Sequence, residues 1–210
     1  MTTAQQRSTS PARLALYIAL AAAGMALAIW LDKAAYLAIS NEAAEREDWH
    51  RALRILGYLP TWLAIGIAFI MCDWDRSASK PGRTLLRGLY IMGSAAAGGA
   101  IAEVLKLMLR RERPDMHAGE HVFRPFGEGL LNSSGLGLPS SHTMIAFAAA
   151  GALCKLFPRA APIWLLAAAG CGYTRMLDHA HFLSDVFLGA VLGYATAWAI
   201  ALLGPKETGA

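Results

Sequence analysis

The sequence predicts an all-α polytopic membrane protein, a six-helix transmembrane bundle forming one domain over residues 1–210. Three observations predict it. The composition is 56% hydrophobic and 16% charged, with a mean hydropathy of +0.39, too apolar for an ordinary water-soluble domain. Apolar runs recur at close to the roughly 20 residues that a helix needs to cross about 30 Å of hydrocarbon. Polar residues collect between those runs and at their ends, and no soluble domain, repeat array or low-complexity region interrupts them.

Met1–Pro11 is polar and leads into the first predicted span, 14–31, which carries no charge. A signal peptide is the competing reading, but its apolar core is usually shorter, and Trp30-Leu31-Asp32-Lys33 does not resemble a small-residue cleavage site. Asn41–Arg54 sets Glu42, Glu45, Glu47 and Asp48 against Arg46, Arg51 and Arg54, the pattern of a wet or interfacial segment with the makings of a short amphipathic helix. The second span, 55–72, is uncharged, and its Pro60 is tolerable where neighbours cover the freed carbonyl. Asp73–Arg83 reads as a loop. The third span, 85–109, has a thin face of Gly93, Ser94, Gly98 and Gly99 that lets another helix approach. Arg110–Pro139 follows as a thirty-residue polar loop, a length at which loops are either functional or disordered. The fourth span, 141–157, turns at Pro158 and Pro162 into the fifth, 163–177. A short connection leads to the sixth, 182–203, with Gly189 and Gly193 in GxxxG spacing.

Cys72, Cys154 and Cys171 each lie in an apolar stretch and read as small core residues, not a disulfide framework. The net charge of +4 and pI near 9.1 fit cytoplasmic loops and lipid headgroups, so nucleic acid is not an expected partner. With the amino terminus inside, nine Lys and Arg face the cytoplasm and ten face out. Setting aside Lys106, Arg113 and Arg175 for chemistry leaves nine against seven, which favours that topology.

Three segments place polar groups at span ends, where packed helices rarely hold them. In Lys106-Leu-Met-Leu-Arg-Arg-Glu-Arg113-Pro114, a seven-residue step is about two helical turns, so Lys106 and Arg113 share a face with Arg110 between them. Pro114 disfavours helical geometry at Arg113, so that cation is expected where the helix opens into the loop. Taken alone, these cations also fit an interfacial collar. In Pro139-Ser140-Ser141-His142, serine is a favoured cap, and the first turn offers N–H donors to an anion beside a histidine that can move a proton. In Thr174-Arg175-Met-Leu-Asp178-His179-Ala-His181-Phe-Leu-Ser184-Asp185, His181 and Asp185 are four apart. On a continuous helix, Asp185 then accepts from one ring nitrogen of His181 and leaves the other free, whereas His179 faces elsewhere. A carboxylate–histidine pair also suits zinc, but the sequence lacks a convincing completing ligand, and the surplus of Lys and Arg suits an oxyanion better. His117 and His121 read as solvated loop residues. In a six-span topology all three segments fall on one membrane face.

Together they resemble the type 2 phosphatidic acid phosphatase superfamily, whose pattern is K-x6-R-P, then P-S-G-H, then S-R-x5-H-x3-D. Lys106–Pro114 fits unchanged, Ser141 stands in place of Gly, and Thr174 in place of Ser. Asp178-His179-Ala180 is more polar than the family leads one to expect. The resemblance implies a metal-independent membrane phosphatase without cofactor that acts on a lipid phosphate. It implies that His181 attacks phosphorus to give a phosphohistidine, Asp185 orients it, and His142 handles the protons. Lys106, Arg113, Ser140, Ser141 and Arg175 would hold the phosphoryl oxygens, supported by Thr174 and Arg110. Undecaprenyl diphosphate, phosphatidate, phosphatidylglycerophosphate and lipid A phosphate all remain open as substrates. The expected location is a bacterial inner membrane, with the site at the extracytoplasmic face. A phosphotransferase of the same architecture and a non-enzymatic lipid transporter are the alternatives, and the oligomeric state is open.

Overall fold

The computed structural model describes residues 10–39, 47–74 and 81–203. The amino-terminal polar stretch through residue 9, residues 40–46 of the acidic–basic segment, residues 75–80 of the loop and the tail with Lys206 lie outside the described residues. Among the described residues the chain is all-helical. Seven α-helices follow in order: α1 (Pro11–Ala38), α2 (Asp48–Arg54), α3 (Leu59–Trp74), α4 (Pro81–Leu109), α5 (Ser141–Leu156), α6 (Ala161–Leu177) and α7 (Leu183–Leu203).

By length and composition, α1, the Leu85–Leu109 part of α4, and α7 are each fit to cross a bilayer. A fourth span results if Asp48–Gly57 and Leu59–Cys72 count as one, although they meet at a 75° bend. The predicted second span, 55–72, therefore contains a break at Tyr58. Its freed carbonyls are covered from inside the bend, where Thr61 Oγ1 donates to Ile55 O at 2.9 Å and Trp62 Nε1 donates to Leu56 O at 2.6 Å. Helices α5 and α6 have 16 and 17 residues, at or just below the short end of the roughly 17–25 that a span takes. The Ser140 cap fixes where α5 starts, and Phe157-Pro158 stops it.

Alanine-rich α5 is the centre of the bundle. It packs against α4, α6 and α7, and α3 packs on the outer side of α4. The core joins Trp62, Ile91, Ala149, Leu153 and Ala197, with Tyr90 Oη donating to Ala197 O at 2.8 Å. Small residues let these helices approach closely. A Cβ on Gly193 would press on Met144 O and sit 3.1 Å from Ala148 N, whereas one on Gly93 would meet nothing within 4 Å.

Helix α1 stands apart. Ser10 caps it by accepting from Arg13 N at 3.4 Å, with Pro11 in the first turn. Only Ala28 and Asp32 are buried in it, and it packs on α7, with Phe187 against Gly24. Cys154 and Cys171 are buried as expected, but Cys72 is exposed on the apolar outer face of α3, where its small size does not matter to the core.

The long loop after α4 is ordered by buried cations that bind backbone carbonyls. Arg110 takes a left-handed φ of 56° just past the helix end. Its guanidinium, 1% exposed, donates to Arg124 O at 3.1 Å, Pro125 O at 2.9 Å, and Glu128 O. That fixed set of acceptors over-determines a backbone conformation unusual for a residue with a side chain. Arg124 in turn donates to Glu112 Oε1, Asn132 O and Ser134 O. Isolated bridges join Arg111 to Phe123 and Glu112 to Leu136.

Gly193→Ala is expected to destabilise the bundle by about 1–3 kcal/mol through overpacking at the α5–α7 contact. Gly93→Ala should be neutral or slightly stabilising. Denaturant unfolding in detergent measures both, and equal effects would contradict this packing.

Candidate active site

The connection between α6 and α7 makes a tight turn. Asp178 caps α6, His179 takes a left-handed φ of 51°, and α7 begins at Leu183. His181 therefore precedes α7 and is not on a continuous helix with Asp185 as the spacing had suggested. The two still meet because Asp185, in the first turn, reaches back and accepts from Phe182 N at 2.9 Å, as a capping-box acid does. His181 Nδ1 lies 3.5 Å from Asp185 Oδ2, an ion-pair distance without the alignment of a hydrogen bond. The imidazole is buried in the connection, outside the spanning helices. Burial pushes its pKa down from the ordinary 6.5 to about 4, with Asp185 opposing the shift and the charges of Arg175 and Lys106 adding to it.

Asp185 is itself fully buried, and Arg111 pairs with its Oδ1. Its backbone carbonyl accepts from Ser140 N at 3.1 Å, which joins the start of α5 to the start of α7. Ser140 caps α5, with Thr143 N at 3.5 Å and Thr143 Oγ1 at 3.0 Å from its Oγ. Ser141 Oγ donates to Glu103 Oε1 at 2.6 Å, and the same oxygen lies 3.0 Å from Lys106 Nζ. The second segment thus touches both the first and the third.

His142 follows in the first turn of α5. Its ring lies edge-on to Tyr58 at 4.9 Å, and a Cβ on Gly57 would come within 2.5 Å of its own Cβ, so the chain must have glycine there. Its Nε2 is buried without a hydrogen-bond partner. Arg175, His181, Arg54 and Lys106 are the charged and titratable groups within electrostatic reach of it.

The cations divide into two kinds. Lys106, Arg113 and Arg175 are buried or half-buried, and Arg113 Nε and Arg175 Nε have no partner. Arg113 is extended before Pro114, as the sequence requires. Arg110 lies in the loop instead, where carbonyls accept from its Nε and Nη2 and only Nη1 is left without a partner. Thr174 Oγ1 donates to Cys171 O at 2.7 Å, within its own helix.

The polar character of the Asp178-His179 stretch, unexplained by the sequence, now has a physical account. Asp178 pairs with Arg175, lies 3.7 Å from Arg54 Nη1, and its Oδ1 is 2.7 Å from His50 Nε2, so one carboxylate gathers cationic groups from α2 and α6. His179 Nε2 meets Ile39 O at 3.1 Å, and its ring lies 4.5 Å from Tyr36, which ties the turn to the end of α1. His179 and His181 thus face different partners. Among the described residues, no three His, Cys, Asp or Glu side chains gather in a way that could hold a metal ion. His117 and His121 are not merely solvated. His117 Nε2 pairs with Glu112 at 2.5 Å, and His121 Nε2 pairs with Asp32 at 3.0 Å. Hydrogen bonds from His117 and Arg124 hold the Glu112 carboxyl below the usual carboxylate range.

Sequence reasoning missed Glu103, Arg111, Asp32, His50 and Arg54. Glu103 had a local signal, since it lies three residues before Lys106 on one helical face. The others are brought in by tertiary contacts between distant segments.

The profile of the PAP2 superfamily matches residues 87–208. Among curated proteins, the chain is 34% identical over 109 residues to a lipid A 1-phosphatase of Rhizobium etli, covering 50% of this chain and 45% of the relative. It is also 34% identical over 114 residues to a lipid A 1-phosphatase of Rhizobium johnstonii, covering 53% and 44%. The matched stretch thus spans a little under half the length of these relatives. No solved structure matches significantly. The family profile extends across all three polar segments, and the chain belongs to the PAP2 superfamily.

Proposed function

We propose that the protein is a membrane phosphatase that removes a phosphoryl group from a lipid through a phosphohistidine on His181. One observation carries this reading. Arg113 Nε, His142 Nε2 and Arg175 Nε are all buried without a hydrogen-bond partner, although buried polar atoms are nearly always paired, and His181 lies within electrostatic reach of His142 and Arg175. Cationic donors beside two histidines are the groups that a phosphoryl oxyanion and its proton transfers would use.

In the proposed reaction Asp185 faces Nδ1 of His181, so the proton sits there and Nε2 is the attacking atom. Nε2 forms the N–P bond as the P–O bond to the lipid breaks, and His142 protonates the leaving oxygen. His142, now neutral, takes a proton from water, whose oxygen attacks phosphorus and breaks the N–P bond. Inorganic phosphate leaves and both histidines are restored. Lys106, Arg113 and Arg175, with Ser140 and the Ser141 backbone N–H, stabilise the charge on the equatorial oxygens. Asp178 and Glu103 hold two of these cations in place. The low pKa of His181 keeps the nucleophile neutral at working pH.

An apolar cavity of about 200 Å³ opens between α3, α5 and α6, lined by Leu56, Phe69, Ala146, Leu153 and Trp164 among others. Ala146 is one turn below His142, so an amphiphile could place its tail in hydrocarbon-like surroundings and its phosphate at the histidines. The likeness to two lipid A 1-phosphatases makes the 1-phosphate of lipid A the first candidate substrate. We read the bundle as six spans of a bacterial inner membrane, one phosphatase domain with its site at the extracytoplasmic face. Helices α5 and α6 would cross as short spans.

His181→Ala should lower phosphate release by at least about a thousandfold, and Arg175→Ala by about 10²–10³-fold. Purified protein in detergent is assayed with lipid A, undecaprenyl diphosphate, phosphatidate and phosphatidylglycerophosphate in the presence of chelator. Undiminished turnover in His181→Ala contradicts the assignment, and loss of wild-type turnover with chelator would point to a metal.

Folded His181 takes up a proton only below about pH 4, whereas an ordinary histidine does so below 6.5. Folding therefore excludes a proton between these values. Stability falls as pH drops through that window, and this group has no effect above it. His181→Gln should flatten that part of the stability–pH curve, read by thermal unfolding in detergent. An unchanged slope would contradict the burial of a neutral imidazole.

A further inference from the structure

Asp32 is the one charged residue that α1 buries. It is 1% exposed in a helix whose other faces are almost entirely open, and a carboxylate at such a place is costly unless it is paired. Its partners are specific. Oδ1 accepts from Ser184 N at 2.8 Å, and Oδ2 accepts from Ser184 Oγ at 2.5 Å and lies 3.0 Å from His121 Nε2. Arg111 Nη1 lies 3.6 Å from the same oxygen.

Arg111 is 2% exposed and connects this carboxylate to the other one. Its Nη2 donates to Ser184 Oγ at 2.7 Å and to Asp185 Oδ1, while its guanidinium lies 4.9 Å over the Phe182 ring. The backbone of Arg111 is fixed as well, since its carbonyl accepts from Gly137 N at 2.7 Å. Asp185 thus has one oxygen taken by Arg111 and the other left for Phe182 N and His181.

We propose that Asp32 and Arg111 form a positioning clamp for the His181–Asp185 pair, so that docking of α1 helps to align the nucleophile. The clamp has an electrostatic side. Asp185 puts a carboxylate beside His181, which favours the positive charge the imidazole gains when it is phosphorylated, and Arg111 and Asp32, with His121 against Asp32, set how much of that negative charge is left. The other charged groups facing His181 are Arg175 on α6 and Lys106 on α4, with His142 on α5 also in reach. All of these can carry positive charge, so the clamp supplies the counter-charge.

The clamp rests on the proposed role of His181, but its test can be read without substrate. The full chain carrying ¹⁵N-histidine is placed in nanodiscs, and the His181 ring resonances, assigned by their loss in His181→Gln, are titrated. Arg111→Gln removes a positive charge, so the His181–Asp185 pair should take up its proton at higher pH. Asp32→Asn removes a negative charge, so uptake should move to lower pH. An upward shift in Arg111→Gln together with a downward shift in Asp32→Asn supports the clamp, and any other pair of results overturns it. If Arg111→Gln does not fold, Asp32→Asn decides alone, with a downward shift supporting the clamp and any other result overturning it. In turnover assays Asp32→Asn should lose roughly ten- to a hundredfold in kcat with KM within about twofold. Wild-type kcat in that variant would overturn the clamp's part in the reaction.

Discussion

The structure depends on how it accommodates the fully buried carboxylate of Asp185. Removing such a charge from water costs several kcal/mol unless strong partners surround it. Here the partners come from separate parts of the chain: Phe182 N from its own turn, Arg111 from the long loop, and His181 from the connection before α7. The residue's backbone carbonyl meanwhile holds Ser140 N at the start of α5. Satisfying this one residue brings the starts of α5 and α7 together and draws the loop over them.

The cationic side is built by similar logic. Asp178 holds Arg175 with Arg54 and His50 near it, and Glu103 sits between Lys106 and Ser141. Each acid fixes a cation while leaving other donors free, as with the unpaired Nε of Arg175. Donors held in place before a ligand arrives need not reorganise during a reaction, which is the main source of electrostatic stabilisation in the proposed chemistry. The loop supports this arrangement through Arg110 and Arg124, whose bonds to loop carbonyls and to the Glu112 carboxylate hold the stretch that carries Arg111 and Arg113.

Much of this was legible in the sequence. The helical class followed from composition and apolar runs, and the spacing of Lys106, Arg113, Ser140, His142, Arg175, His181 and Asp185 marked the segments that come into contact. Arg110 shows the limit of spacing as a guide. It shares a helical face with Lys106 on paper, but the helix ends at Leu109 and its side chain turns into the loop. The bend at Tyr58 was hidden because Thr61 and Trp62 satisfy carbonyls that an unbroken helix would have bonded itself. Asp32 read as the polar end of a span, and only the fold brings it to Ser184, 152 positions along the chain.

The central claim is that His181 carries the phosphoryl group, and trapping that group tests it most directly. Protein mixed with ³²P-labelled lipid phosphate is quenched in alkali within milliseconds, digested, and the labelled peptide sequenced. The account predicts an alkali-stable, acid-labile label on the peptide containing His181, absent when that residue is alanine. Rapid phosphate release with no protein-bound label at any quench time, or label on a different residue, would contradict it.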